Sequence, residues 1–239
     1  VTSGAVRDVG VPERTRVVSA GRPPWWLLLV ALVAGTLITA DLLTGGVLER
    51  LDLRISDAIG GWGLRDSAAY PAVWVVTQVG GRATILVVLA GLVGYLAWRR
   101  RTWAPLLRVL LALVLLTLVV YAFKHGTGRL APGHPDELFF TDEGVSFPSG
   151  HVANAVLMWG VARWLAVEYR LPARVQRAFW VLAVCGPVVT GLAMVSLNFH
   201  WVTDAVVGAA VGIVLLGVVH RLDGVVLSRW VRARGRQTA

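Results

Sequence analysis

Thr203-Asp204-Ala205-Val206-Val207-Gly208-Ala209-Ala210-Val211-Gly212-Ile213-Val214-Leu215-Leu216-Gly217-Val218-Val219-His220-Arg221 is an apolar run whose ionisable residues stand only at its two ends. As a helix rising about 1.5 Å per residue it is long enough to cross the roughly 30 Å hydrocarbon core of a bilayer. Five more stretches of this kind lie near residues 25–45, 71–97, 103–123, 151–168 and 178–198. The fourth of the six, with Asn154 inside it, is the most polar. With 56% hydrophobic and 15% charged residues, the 239-residue chain has too little polar sequence to wrap six such segments in a soluble shell. The expected fold is therefore all-α, a polytopic bundle of six transmembrane helices over 25–221, between a basic tail at 1–24 and another at 222–239.

The net charge of +9 does not point to nucleic acid, because of where the charges fall. Arg14, Arg16 and Arg22 precede the first span, and Arg99-Arg100-Arg101 separate the second and third. Arg170, Arg174 and Arg177 separate the fourth and fifth, and Arg221, Arg229, Arg232, Arg234 and Arg236 follow the sixth. All four clusters fall on one side of a six-span path. The positive-inside rule then puts both termini in the cytoplasm of a bacterial-type inner membrane, and the loops 46–70, 124–150 and 199–202 outside. Cys185, the single cysteine, lies within a span and can form no intramolecular disulfide. The first apolar run is too long for a signal-peptide core and has no small-residue cleavage motif, so it is read as a membrane helix.

Within the outer loops, Leu48, Leu51, Leu53, Ile55 and Ile59 alternate with Arg50, Asp52, Arg54 and Asp57 before Gly60-Gly61-Trp62-Gly63, a pattern for a short interfacial helix ended by glycines. Gly80-Gly81 interrupts the second span, which reads as close packing or a bend. The loop 124–150 opens on Lys124-His125-Gly126-Thr127-Gly128-Arg129 and closes on Phe147-Pro148-Ser149-Gly150-His151. Ser149 is placed to cap the next helix, and Gly150 lets backbone N–H groups approach an anion at that helix's positive end. His200 and Asp204 are four apart, so one helical turn puts the carboxylate beside the imidazole, where it can fix the tautomer and raise basicity. His151 stands on the same side of the membrane. Ionisable groups gathered at helix mouths make a site hypothesis by default.

In order and spacing these residues resemble the type 2 phosphatidic acid phosphatase (PAP2) superfamily of integral membrane lipid phosphatases. The superfamily pattern is a lysine followed six residues on by Arg-Pro, then Pro-Ser-Gly-His, then Ser-Arg with five residues to a histidine and three more to an aspartate. Here these are Lys124 to Ala131-Pro132, Pro148 to His151, and Ala193-Met194 with His200 and Asp204. The resemblance spans about 25–221 and implies in-line attack by His200 on phosphorus, a phosphohistidine, orientation of His200 by Asp204, and protonation of the leaving oxygen by His151. It implies phosphate binding by Lys124, Arg129 and the backbone N–H groups of Ser149 and Gly150, with no metal and no cofactor. Two expected arginines are replaced, by Ala131 and Met194, and Arg129 is the basic residue of that loop placed to substitute.

His134, Asn198 and Asp41 are candidates to support these residues from behind, with His134 placed to touch a diphosphate. His125 and His134 with Asp136, Glu137, Asp142 and Glu143 follow no familiar metal spacing. The substrate so implied is a membrane lipid phosphate or diphosphate, polyprenyl or glycerophospholipid, entering laterally from the membrane at the extracytoplasmic side. Transfer of the phosphoryl group to an acceptor, or lipid binding without turnover, are the alternatives that the replaced arginines keep open. No paired inverted repeat points to a transporter, and the sequence carries no signal of oligomeric state.

Overall fold

The computed structural model describes residues 22–133 and 138–235, with side chains described as far as 224. Among them are eight helices: α1 (Trp25–Leu43), α2 (Val47–Gly60), α3 (Tyr70–Thr77), α4 (Arg82–Arg100), α5 (Ala104–Thr127), α6 (Gly150–Glu168), α7 (Ala173–Ser196) and α8 (Val202–Gly235). Five of these, α1, α4, α5, α7 and the Val202–Gly224 part of α8, are long and apolar enough to cross a membrane. The protein is a multi-pass membrane protein. Large apolar side chains such as Leu37, Val87, Leu118 and Leu192 are exposed on the outside of the bundle, as a lipid-facing surface requires. Trp25, Trp26, Trp98 and Trp103 are exposed where α1 and α5 begin and α4 ends, one level of the bundle at which an interfacial aromatic belt belongs.

α6 corresponds to the expected fourth span but is not among the five. It is the hub of the bundle, packing against α4, α5, α7 and α8, and 13 of its 19 residues are buried. A helix surrounded by helices need not be apolar toward lipid, which is why Asn154 and Arg163 are tolerated on it. Close approach depends on small residues. A Cβ at Gly208 of α8 would stand 2.6 Å from the Ser149 carbonyl oxygen, and one at Gly212 would stand 2.7 Å from Val156 Cβ. This four-residue spacing of glycines lets α8 lie directly on the first turns of α6.

The second expected span, 71–97, is two helices. α3 ends at Thr77, the chain turns at Val79-Gly80-Gly81, and α4 starts at Arg82. The break frees carbonyls that α6 satisfies: Asn154 Nδ2 donates to Gly80 O at 2.9 Å and Trp159 Nε1 to Val79 O at 2.9 Å. Gly80 is required here by proximity, since a Cβ would meet Thr190 Cγ2 at 2.5 Å and the His151 carbonyl oxygen at 2.6 Å.

The short helix expected over residues 48–59 forms as α2, and the Gly60-Gly61 end is where it stops. Asp41 accepts from Val47 N at 3.1 Å and Leu48 N at 2.7 Å, so it caps α2 across the Gly45-Gly46 turn. At the far end of the bundle Arg108 of α5 donates to Asp223 of α8 at 2.7 and 3.1 Å and to Glu168 of α6 at 2.8 Å. α8 continues as backbone helix to Gly235, so the tail boundary expected near 221 is not a helix end.

Gly80→Ala is expected to cost about 1–3 kcal/mol by overpacking against His151 and Thr190. A lower thermal midpoint in detergent would report it. Gly94→Ala, where a Cβ meets nothing within 4 Å, should leave the midpoint unchanged or slightly raised.

Candidate active site

The loop after α5 folds back on itself. Gly128 ends α5 with φ 51°, and Phe140 N and Thr141 N bond to Thr127 O and Gly128 O. Ser146 N then bonds to Arg129 O at 2.9 Å, which brings the start and end of the loop together beside the first turn of α8. There the Asp204 carboxylate is fully buried. Its Oδ2 accepts from Ser146 Oγ at 2.5 Å and Trp201 N at 3.2 Å, and lies 3.2 Å from His200 Nδ1. Its Oδ1 takes Arg129 NH1 at 2.6 Å. Held this way, Asp204 keeps the imidazole proton on Nδ1 and leaves Nε2 as the free lone pair.

Arg129 is wholly buried between two carboxylates. Besides Asp204, its NH2 meets Asp52 Oδ2 of α2 at 2.8 Å, and its NH1 also reaches Thr203 Oγ1 at 2.8 Å. Asp52 in turn accepts from Thr203 N at 3.2 Å and from the Thr203 hydroxyl. The rings of Phe139 and Trp201 stand 5.1 Å from the guanidinium carbon. Arg129, expected to bind phosphate, has NH1 and NH2 bonded within the protein, while its buried Nε has no partner.

A cavity of about 530 Å³ borders α5, lined among others by Gly80, Arg82, Tyr121, Lys124, His125, Gly150, His151 and Asn154. The starts of α4 and α6 both border it, so two positive helix ends face one space. Lys124 hydrogen-bonds the Val145 carbonyl at its edge. His151 and His200 are electrostatic neighbours, and the His200 side chain keeps 11% exposure. Among the described residues no acidic side chain lines this space and no cluster suited to a metal ion occurs.

The family profile of the PAP2 superfamily matches residues 105–226, more than half of the chain. The chain belongs to the PAP2 superfamily. Phosphatidylglycerophosphatase B of Bacillus subtilis (strain 168) is 27% identical over 150 residues, covering 62% of this chain and 72% of that protein. A crystal structure of a transmembrane PAP2 type phosphatidylglycerolphosphate phosphatase from Bacillus subtilis shares the fold. It matches with a TM-score of 0.68 over 83% of this chain and 96% of that chain, at 21% identity.

The structure thus brings Lys124, Gly150 and His151 to one cavity, and His200 and Asp204 to its neighbourhood. Ser149 N is not free for an anion as expected, because it donates to Asp204 O at 2.9 Å. The Ser149 hydroxyl is buried with no partner. Asn198 latches α2, accepting from Ser56 Oγ at 2.9 Å, and Arg65 bonds the Leu197 carbonyl at 2.5 Å and the Asn198 carbonyl. Asp41 and Asn198 therefore hold α2 in place and neither lines the cavity. His134 lies outside the described residues.

Two residues escaped the sequence reading. Asp52 falls on the Leu48–Ile59 stripe of α2, and an acid on the inward stripe of an amphipathic helix was the available signal. Arg82 follows Gly80-Gly81, and a cation directly after a helix break in an apolar span was the signal there.

Removing Arg129 leaves two buried carboxylates facing each other, so Arg129→Met should cost about 3–5 kcal/mol of stability. A fall in thermal midpoint in detergent without substrate would show it. An unchanged midpoint with only a raised KM would instead mark Arg129 as a phosphate ligand.

Proposed function

We propose that this protein hydrolyses a membrane lipid phosphate at the extracytoplasmic face of a bacterial-type inner membrane, through a phosphohistidine on His200. The observation that carries the reading is the His200–Asp204 pair, whose carboxylate is fully buried and engaged so that His200 Nε2 is left as nucleophile. Similarity to phosphatidylglycerophosphatase B supports a glycerophospholipid monoester as substrate class. The superfamily assignment supports the hydrolase chemistry.

In the first step the Nε2 lone pair attacks phosphorus in line, the phosphorus–oxygen bond to the lipid breaks, and His151, which enters the step as the imidazolium paired with the bound phosphate's negative charge, gives its proton to the departing lipid oxygen. Asp204 stabilises the imidazolium that His200 becomes. In the second step His151, now neutral, takes a proton from water as the water oxygen attacks phosphorus. The phosphorus–nitrogen bond breaks, inorganic phosphate leaves, and both histidines return to their starting states. Lys124 and the N–H groups at the start of α6 neutralise the charge on the phosphoryl oxygens.

The sidedness rests on charge. Arg99, Arg100, Arg101, Arg170, Arg174 and Arg177 all stand at the end of the bundle away from His151, which the positive-inside rule assigns to the cytoplasm. With the site at the opposite end, α6 must cross with its neighbours, and six helices then traverse the bilayer with both termini inside. The lipid tail would stay in the membrane beside the exposed faces of α4 and α5 while its head group occupies the cavity.

Phosphate release from phosphatidylglycerophosphate, phosphatidic acid and polyprenyl diphosphates, measured in detergent without added metal, tests this. The native chain should release phosphate from at least one. His200→Ala should lower that release by about 10³-fold or more, as loss of a covalent nucleophile does. Label appearing in an added acceptor alcohol in place of free phosphate would make the protein a transferase. No turnover of any lipid would overturn the reading.

A further inference from the structure

Among the cations near the site, Lys124 bonds the Val145 carbonyl and Arg129 is enclosed by Asp52 and Asp204. Arg82 is different. It lines the cavity with Lys124 and His151, it is exposed, and it makes no hydrogen bond or ion pair among the described residues. An exposed arginine at a span end ordinarily snorkels toward head groups and water. Here it shares a bounded cavity with a second cation and two histidines, while no carboxylate of the described residues lines that space. Like charges gathered without a counter-charge repel one another, and an anion in the cavity removes that repulsion.

The mounting of Arg82 is as specific as its charge. Arg82 is the first residue of α4, directly after the Gly80-Gly81 break, and the turn before it is tied to α6 by Asn154 and Trp159. α6 also carries His151, whose backbone carbonyl passes within contact distance of Gly80. One helix therefore sets both the candidate proton donor and the arginine. Ala131 and Met194 supply no cation at those two positions, so among the described residues Arg82 is the guanidinium that lines the cavity.

We infer that Arg82 is a phosphate-binding residue of this site, a guanidinium delivered from the broken second span that grips the phosphoryl oxygens of the substrate opposite Lys124. The planar fork suits two oxygens at once, which an ammonium cannot match. The inference rests on the phosphatase reading for the nature of the anion. Its ligand is any tetrahedral phosphate monoester, free or on a lipid.

The test uses the full chain in detergent with inorganic phosphate as probe, read as the dissociation constant by calorimetry and as the inhibition constant in the lipid assay. A charge-assisted contact is worth about 1.5–3 kcal/mol, so Arg82→Gln should raise both constants about 10–100-fold and raise KM in parallel. Arg82→Lys should recover part of the loss. Arg54→Gln, which removes an exposed cation from α2 outside the cavity, should leave both constants at the native value. Native phosphate affinity in Arg82→Gln overturns the inference, and so does a native protein that binds no phosphate. If phosphate binding depends on Arg82 while no lipid is turned over, the phosphatase reading fails and the binding role of Arg82 stands.

Discussion

A carboxylate with no exposure to solvent, Asp204, is stable in this bundle only because Arg129 lies against it, and Arg129 is stable only because Asp52 lies on its other side. Taking isolated charges out of water costs several kcal/mol each even after relaxation, so the three groups are mutually dependent. The links run through four parts of the chain: α2 gives Asp52, the loop after α5 gives Arg129 and Ser146, the turn after α7 gives His200, and α8 gives Asp204. The same contact that closes α2 over the bundle therefore also aims the imidazole. Stability of this end of the bundle and orientation of the His200 imidazole are one property.

The opposite end has an independent fastening of the same design, in which Arg108 joins Glu168 and Asp223 while its guanidinium carbon stands 4.6 Å from the centre of the Trp164 ring. An arginine and two carboxylates thus fasten the bundle at each end, joining α5, α6 and α8 at one and α2, the loop after α5 and α8 at the other. Between the two pins the glycines at 208 and 212 allow α8 to sit on α6 without intervening side chains. Such a frame holds the first turns of α6 and α8 in a constant relation, and those turns carry His151 and Asp204. Positioning of this kind matters because reacting groups displaced by about 1 Å can lose about a hundredfold in rate.

Much of this was legible before any coordinates. The apolar lengths marked the helices and the 48–59 stripe marked α2; the spacing of His200 and Asp204 pointed to their contact, although His200 stands in the turn before α8 and not on a helical turn with Asp204. The direction of a polar side chain was not legible. Arg129 and Arg82 are both single arginines beside glycines, yet one is buried between carboxylates and the other opens on the cavity. The difference is set by Asp52, 77 residues from Arg129 in sequence, and by Asn154 and Trp159 holding the break before Arg82. Such pairings depend on which helices neighbour one another, and periodicity within one segment does not encode that. The second span looked continuous for a similar reason: its Gly-Gly break is stabilised by donors on α6, outside the segment.

The central claim is that Asp204 prepares His200 to carry the phosphoryl group. Incubating the native chain with ³²P-labelled phosphatidylglycerophosphate, quenching in alkaline detergent that preserves phosphorus–nitrogen bonds, and locating the label by peptide mass spectrometry tests it directly. A single acid-labile phosphate is expected on His200 and none in Asp204→Asn. Turnover with no label on His200, or label on another residue, would contradict it.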